Sequence, residues 1–160
     1  MRLSRLLGRT LRQPPSDAHL PSHQLLVRAG YVREQDIGSF SYLPLGIGSL
    51  RRLQALVQRA LVPLHGQQIR LAHPDSDGAP DHRVDKVRSL IQLARREVDS
   101  YRQLPVIVYE MVSRPAPASE ARAGLFSAGE RHVAEITAFG DSRLRGDDPQ
   151  VTGALAQVFE

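Results

Sequence analysis

Cysteine is absent from the 160 residues, which removes disulfides and thiolate metal sites from consideration. Long apolar runs are missing too. No stretch approaches the roughly 18–20 apolar residues that a bilayer-spanning helix needs. The opening Met1-Arg2-Leu3-Ser4-Arg5-Leu6-Leu7 is basic, but no apolar segment of signal type follows it, and its likeness to an arginine-rich organellar presequence is slight. These absences set the expectation of a cytoplasmic chain with no membrane partner. Lysine is nearly missing as well: Lys86 is the only one, so arginine carries almost all of the positive charge.

What is present fits a globular chain. An apolar share of 41% and a mean hydropathy of -0.29 are enough for a moderately large core, and the length favours one domain. We expect residues 1–18 to form a basic lead, flexible or strap-like, because Pro14-Pro15 breaks any helix begun at Met1. Residues 19–160 would form the domain. Charge is uneven. Up to Arg70 ten arginines face only Asp17, Glu34 and Asp36, whereas beyond it eleven basic residues face fourteen acidic ones. A basic first half suits RNA or another polyanion. The simpler reading is a solvated, arginine-rich surface.

Ser22 is placed to cap a helix over His23–Ala29 that stops at Gly30, with Leu25, Leu26 and Ala29 facing the core. Tyr31–Arg33 and Ser39–Leu43 read as short strands, with Asp36, Ile37 and Gly38 in the turn between them. After the punctuation of Pro44-Leu45-Gly46, Leu50, Leu53, Val57 and Ala60 recur at helical spacing and predict a helix over Ile47–Val62. Gln68–Ala72 reads as a strand and His73–His82 as a loop. A second helix, Val84–Tyr101, would turn Val87, Leu90, Ile91, Ala94 and Val98 to one side, with Leu104-Pro105 as its stop. The run Val-Ile-Val-Tyr-Glu-Met-Val at Val106–Val112 is the clearest strand. Ser113–Ala123 suits a long hairpin loop, Gly124–Phe126 and His132–Ala138 the returning strands, and Asp148-Pro149 the start of a last helix through Val151, Leu155 and Val158. The order of elements is α+β, with mainly antiparallel strands.

Pro21-Ser22-His23, Arg28-Ala29-Gly30 and Ser41-Tyr42-Leu43-Pro44-Leu45-Gly46, in that order, resemble the N-terminal part of prolyl-tRNA synthetases. The run Arg95-Arg96-Glu97-Val98-Asp99-Ser100-Tyr101-Arg102-Gln103-Leu104-Pro105 is similar to the segment that leads into motif 2 of this class II family. Arg122-Ala123-Gly124-Leu125-Phe126 resembles the tip and return of the motif 2 hairpin, and the likeness continues to Val158-Phe159-Glu160. Taken singly, each piece suits any strand end or charged helix end; their order carries the resemblance. It covers nearly the whole chain, with a deletion around residues 74–85. It implies a class II aminoacyl-tRNA synthetase-like antiparallel sheet flanked by helices. Motif 1, the dimer interface of that class, would map to Ile47–Val62 and Gln68–Pro74. The third motif of the class would lie beyond the end of this chain, so the expected core is truncated before it, and no anticodon-binding domain is expected.

The same resemblance implies that activating groups have been replaced. Amino acid activation needs an arginine on the α-phosphate, where charge develops. Counted back from Arg122, the family's Arg-Asp-Glu falls on Ala116, Pro117 and Ala118, none of which can donate to phosphate. Arg114 lies two residues away and would keep the same strand face. The stacking aromatic falls at Arg131, and the acidic position after it at Glu135; Glu130 also remains. The Thr-x-Glu loop that recognises proline falls on Asp85, Lys86 and Val87. The degenerate nucleotide pocket therefore comprises Arg114, Arg122, Glu130, Arg131 and Glu135, with no catalytic residue assigned. The two glutamates are equally at home as exposed strand residues.

Other chemistry is thinner. His19 and His23 are four apart, a metal-binding spacing on a helix, but Pro21 lies between them and no third ligand is near, so no metal is expected. There is no nucleophile elbow, and Gly46-Ile47-Gly48 lacks the rest of a phosphate loop. We therefore expect a binding, dimerising or regulatory protein without cofactors. It would associate as a homodimer through Ile47–Pro74 or with a protein partner at an open sheet edge, and tRNA is the lesser candidate partner. The alternative is a residual ATP- and Mg-dependent ligase that forms aminoacyl-adenylate, helped by another chain.

Overall fold

The computed structural model describes residues 5–16, 18, 20–36, 38–72, 82–115, 129–140 and 149–156. The chain divides into two compact units. One comprises Met1–Ala55 with Val112–Val133, the other Leu56–Met111 with Ala134–Glu160. Helices and short sheets are interspersed, so the α+β class follows the order of elements read from the sequence.

In the first unit a proline decides where the first helix begins. Pro21 supplies a fixed φ and no N–H to leave unpaired, and helix α1 runs Pro21–Arg28 from Leu20 in the cap position. No side-chain cap is made, so the start lies ahead of the expected Ser22. The far end closes on Gly30, whose φ of 76° only glycine adopts without strain. Its N–H donates to Val27 O at 3.2 Å and that of Tyr31 to Leu26 O at 2.9 Å, which satisfies two terminal carbonyls. The buried positions are His23 and Val27, one turn apart, whereas Leu25 and Ala29 are exposed and Leu26 is half-buried. The expected inward face is therefore wrong. The helix is covered on the side where the His23 ring meets Phe40 edge-on at 5.2 Å.

Strands β1 (Val32–Asp36) and β2 (Ser39–Tyr42) form an antiparallel ribbon in which Val32 faces Tyr42 and Glu34 faces Phe40. A bulge between Glu34 and Asp36 precedes the turn, and the Gly38 N–H donates to Glu34 Oε1 at 3.1 Å. Arg9 and Leu11 are tied to this unit by backbone groups. The Leu11 N–H donates to Arg28 O at 2.9 Å, and the Arg33 guanidinium donates to the carbonyls of Val27, Val32 and Arg9. Helix α2, Pro44–Leu61, starts at Pro44 rather than after Gly46, because proline again suits a first helical position. It begins in the first unit and ends in the second. Of its apolar stripe, Leu50, Val57 and Ala60 are half-buried, while Leu53 is 59% exposed.

In the second unit, Leu61 is fully buried ahead of a 3-10 turn at Val62–Leu64. Strand β3 is only Gln67–Gln68. The ladder continues through the Ile69 N–H to Tyr109 O at 2.9 Å, but the Leu71 N–H then donates to the Glu110 side chain, so the expected strand to Ala72 stops early. Helix α3, His82–Glu97, ends ahead of the expected Tyr101. The Gln103 side chain accepts from the N–H groups of Asp99 and Ser100, and Ser100 Oγ accepts from the Arg102 N–H, which starts a 3-10 turn at Tyr101–Gln103 instead.

Strands β4 (Val106–Pro115) and β5 (Glu130–Phe139) complete a three-stranded sheet of order β3-β4-β5. Among strands expected to be mainly antiparallel, β3 and β4 pair in parallel, with Gln67 opposite Val108. The reason is the connection: α3 lies between them in sequence, and a helical crossover returns the chain in the same direction. Leu71, Leu90 and Val108 form the core, backed by Ile69, Leu93, Val106 and Phe139. The last helix, α4, spans Pro149–Ala156. The expected strand Gly124–Phe126 and the expected reach to Val158 lie outside the described residues.

Candidate functional site

Side-chain alternation builds a face in the second unit that is apolar at one end and ionic at the other. Along β4, residues two apart share a side of the sheet, so Val106, Val108 and Glu110 point together; along β5, Glu135, Thr137 and Phe139 do likewise. On α3, Lys86, Leu90, Leu93 and Ala94 fall on one stripe. Leu90 and Leu93 meet Val106, Val108 and Phe139 in the core. One step further along the same stripe, Lys86 meets Glu110 and Glu135.

The cluster is tightly held. Lys86 Nζ lies 3.8 Å from Glu110 Oε2 and in direct contact with Glu135 Oε2. The side chains are 13% exposed at Lys86, 4% at Glu110 and 31% at Glu135. Glu110 Oε1 accepts from the Leu71 N–H at 3.0 Å, which orients the carboxylate independently of the lysine. A buried charge persists only when paired and hydrogen-bonded, and this arrangement supplies both conditions.

At the apolar end of this face lies an open groove of about 640 Å³. Ile69, Leu93, Ala94, Val98, Val106 and Phe139 give it apolar walls, with Gln67, Glu97 and Gln103 as its polar members. Such a mixture fits a small ligand with an apolar body.

The residues expected to form a nucleotide pocket fall in different places. Arg114 is half-buried on β4, and Glu130 and Arg131 are exposed at the start of β5, all within the first unit. Glu135 is in the second unit, joined to Lys86. Arg122 and the substituted positions Ala116, Pro117 and Ala118 lie outside the described residues, as does His19. His23 is a core residue, 3.7 Å from Glu34 Oε2. Among the described residues no three His, Asp or Glu side chains gather where they would hold a metal ion. No described helix is long and apolar enough to cross a membrane.

In the first unit, Ser113 Oγ and His132 Nδ1 are 2.7 Å apart, and the His132 ring meets Tyr42 edge-on at 5.1 Å. Burial, and then the Glu130 carboxylate, raise the Tyr42 phenol above its ordinary value. Sequence reasoning missed the partnership of Lys86 with Glu110. Two signals carry it: a lone carboxylate inside an apolar strand, and the one lysine on the stripe of Leu90 and Ala94.

No family model matches the chain. It is 34% identical over 153 residues to a proline–tRNA ligase of Mycobacteroides abscessus, covering 81% of this chain and 26% of that protein. The proline–tRNA ligase of Acidothermus cellulolyticus is 31% identical over 157 residues, with the same coverage. That of Rhodococcus erythropolis is 33% identical over 184 residues, covering 99% of this chain and 32% of the relative. The chain thus spans between a quarter and a third of the length of these relatives. Across most of its residues, it is a sequence related to the prolyl-tRNA synthetases.

Proposed function

We propose that this chain is a binding or regulatory module on a prolyl-tRNA synthetase-derived scaffold, without independent aminoacylation. Val87 carries the reading. The resemblance aligns Asp85, Lys86 and Val87 with the Thr-x-Glu loop that recognises proline, so the acidic side chain that would meet the substrate ammonium is replaced by the exposed, uncharged Val87. The neighbouring Lys86 is engaged by Glu110 and Glu135 and offers no carboxylate in its place. The substitution of the phosphate-binding positions by Ala116, Pro117 and Ala118 supports the same conclusion.

Association would be the working mode. Leu53 and Val62, exposed on and just after α2, offer apolar area within the Ile47–Pro74 stretch proposed for dimerisation. β5 is an end strand of its sheet among the described residues, and an open edge is a place for a partner strand. Light scattering at micromolar concentration is expected to give a dimer; a stable monomer that also captures no partner chain refutes this mode. ATP–pyrophosphate exchange with proline and each other amino acid should stay at background, and exchange above it would refute the non-catalytic reading.

Identity of up to 34% to proteins named proline–tRNA ligase favours a second reading, a residual adenylate-forming ligase. Arg114, Arg122, Glu130 and Arg131 would then face ATP and Mg with help from a second chain. Exchange that appears only in the presence of that chain selects this reading. Contact with tRNA through the arginine-rich half would show as a mobility shift that falls steeply with salt.

A further inference from the structure

We propose that Lys86 occupies a latent receptor for a primary ammonium group, so that the chain supplies its own occupant to a cation pocket. The walls beside the lysine stem are Ile69, Leu71, Leu90 and Val108, and with the stem in place they leave no room for a water. The carboxylates of Glu110 and Glu135 close the end where the charge sits. Apolar walls ending in two carboxylates match an unbranched alkylammonium: the tail is dehydrated along the walls and the three N–H donors meet the oxygens.

Two features make this a receptor rather than an ion pair of the surface kind. The Leu71 N–H holds Glu110 in place through the other carboxylate oxygen, so the acceptor stays oriented when the lysine leaves. The occupant also comes from a separate element: both glutamates stand on the sheet strands β4 and β5, while the ammonium is delivered by α3. Withdrawal of the N-terminal turns of that helix would therefore expose a preformed anionic pocket. The ligand class it would admit is a primary amine with an apolar tail, and in the resting chain Lys86 excludes it. This goes beyond the binding-module reading and holds whether or not the chain activates amino acids.

The test is chemical rescue in the full chain. Lys86→Ala removes the stem from Cγ to Nζ, and the propylammonium ion replaces those atoms. The variant should melt below the wild type, and propylammonium chloride should restore most of the lost melting temperature along a saturating curve. Propan-1-ol and sodium chloride at matched concentration should not, and the wild-type chain should show no saturable response. Adding Glu110→Gln to Lys86→Ala should weaken the response to propylammonium at least tenfold. Should Lys86→Ala be recovered only as aggregate, refolding with propylammonium must return soluble protein that refolding with sodium chloride does not. The proposal is overturned by an unsaturable response, by equal rescue with the alcohol, by undiminished rescue without the Glu110 charge, or by no soluble protein under either refolding condition.

Discussion

Gly46 and Gly48, two residues apart at the start of α2, should answer the same substitution with opposite signs. A Cβ on Gly46 would stand 2.3 Å from the Tyr31 carbonyl oxygen and 3.1 Å from its carbon. That oxygen cannot swing away freely, because it accepts the Leu43 N–H at 2.8 Å. Relieving the overlap costs about 1–3 kcal/mol by displacement of packed backbone. Weakening the Leu43 bond adds roughly 1 kcal/mol. Alanine returns about 0.5–1 kcal/mol relative to glycine in a helix. The net for Gly46→Ala is therefore a loss of about 2 kcal/mol. A chain of this size moves about 2–4 °C per kcal/mol, so its melting temperature should fall by about 4–8 °C. Gly48 has nothing within 4 Å of a built Cβ, so Gly48→Ala keeps only the helix gain and should raise the melting temperature by about 1–4 °C. Thermal and urea unfolding followed by circular dichroism reads both. A Gly46→Ala chain as stable as the wild type, or a Gly48→Ala chain that falls with it, refutes the close-approach argument.

Lys86→Met keeps the stem and takes the ammonium away from two carboxylates; breaking a buried pair costs about 3–5 kcal/mol, and the partial exposure of Glu135 places the loss near the lower end, measurable by urea titration. Lys86→Met with Glu110→Gln should recover part of that loss, since the amide oxygen still accepts the Leu71 N–H. Arg33→Lys loses the fork that holds three carbonyls and should cost about 1–2 kcal/mol, with faster hydrogen exchange at the Leu11 amide as its local readout. The raised Tyr42 phenol makes the folded chain hold a proton that the unfolded chain begins to release near the ordinary phenol value of 10.0. This stabilising contribution is present below that pH and is lost as pH climbs through the folded value. Tyr42→Phe should accordingly flatten the alkaline fall of urea-derived stability, and an unchanged alkaline slope would remove the assignment.

Local chemistry made much of the fold legible. The β-branched run at Val106–Val112 marks β4 because no helix favours it, and the prolines at Pro21, Pro44 and Pro149 stand at helix starts because their φ is fixed in advance. Facing directions were harder to read. On α1 the helical period admits Leu25 or His23 as the inward residue, and the decision belongs to Phe40, seventeen positions away in the ribbon. On α3 the exposed Val87 and Ile91 look like core residues by hydropathy. The inward stripe instead includes the lysine, whose burial is intelligible only once Glu110 and Glu135 are beside it. The end of β3 follows the same rule: a side chain thirty-nine residues on captures the Leu71 donor. The site was half visible. Glu135 was singled out through the family pattern, while Glu110 passed as one letter of a strand because pairing across the fold leaves no periodic trace.

A chain with one side-chain amine that is sheltered by two acids carries a natural opening gauge. Acylating reagents aimed at lysine will find the ε-nitrogen enclosed and engaged by Glu110 and Glu135 for as long as α3 stays seated. The pace at which a label reaches Lys86, followed by mass spectrometry, will count excursions of that helix from its seat, with no background from any second lysine.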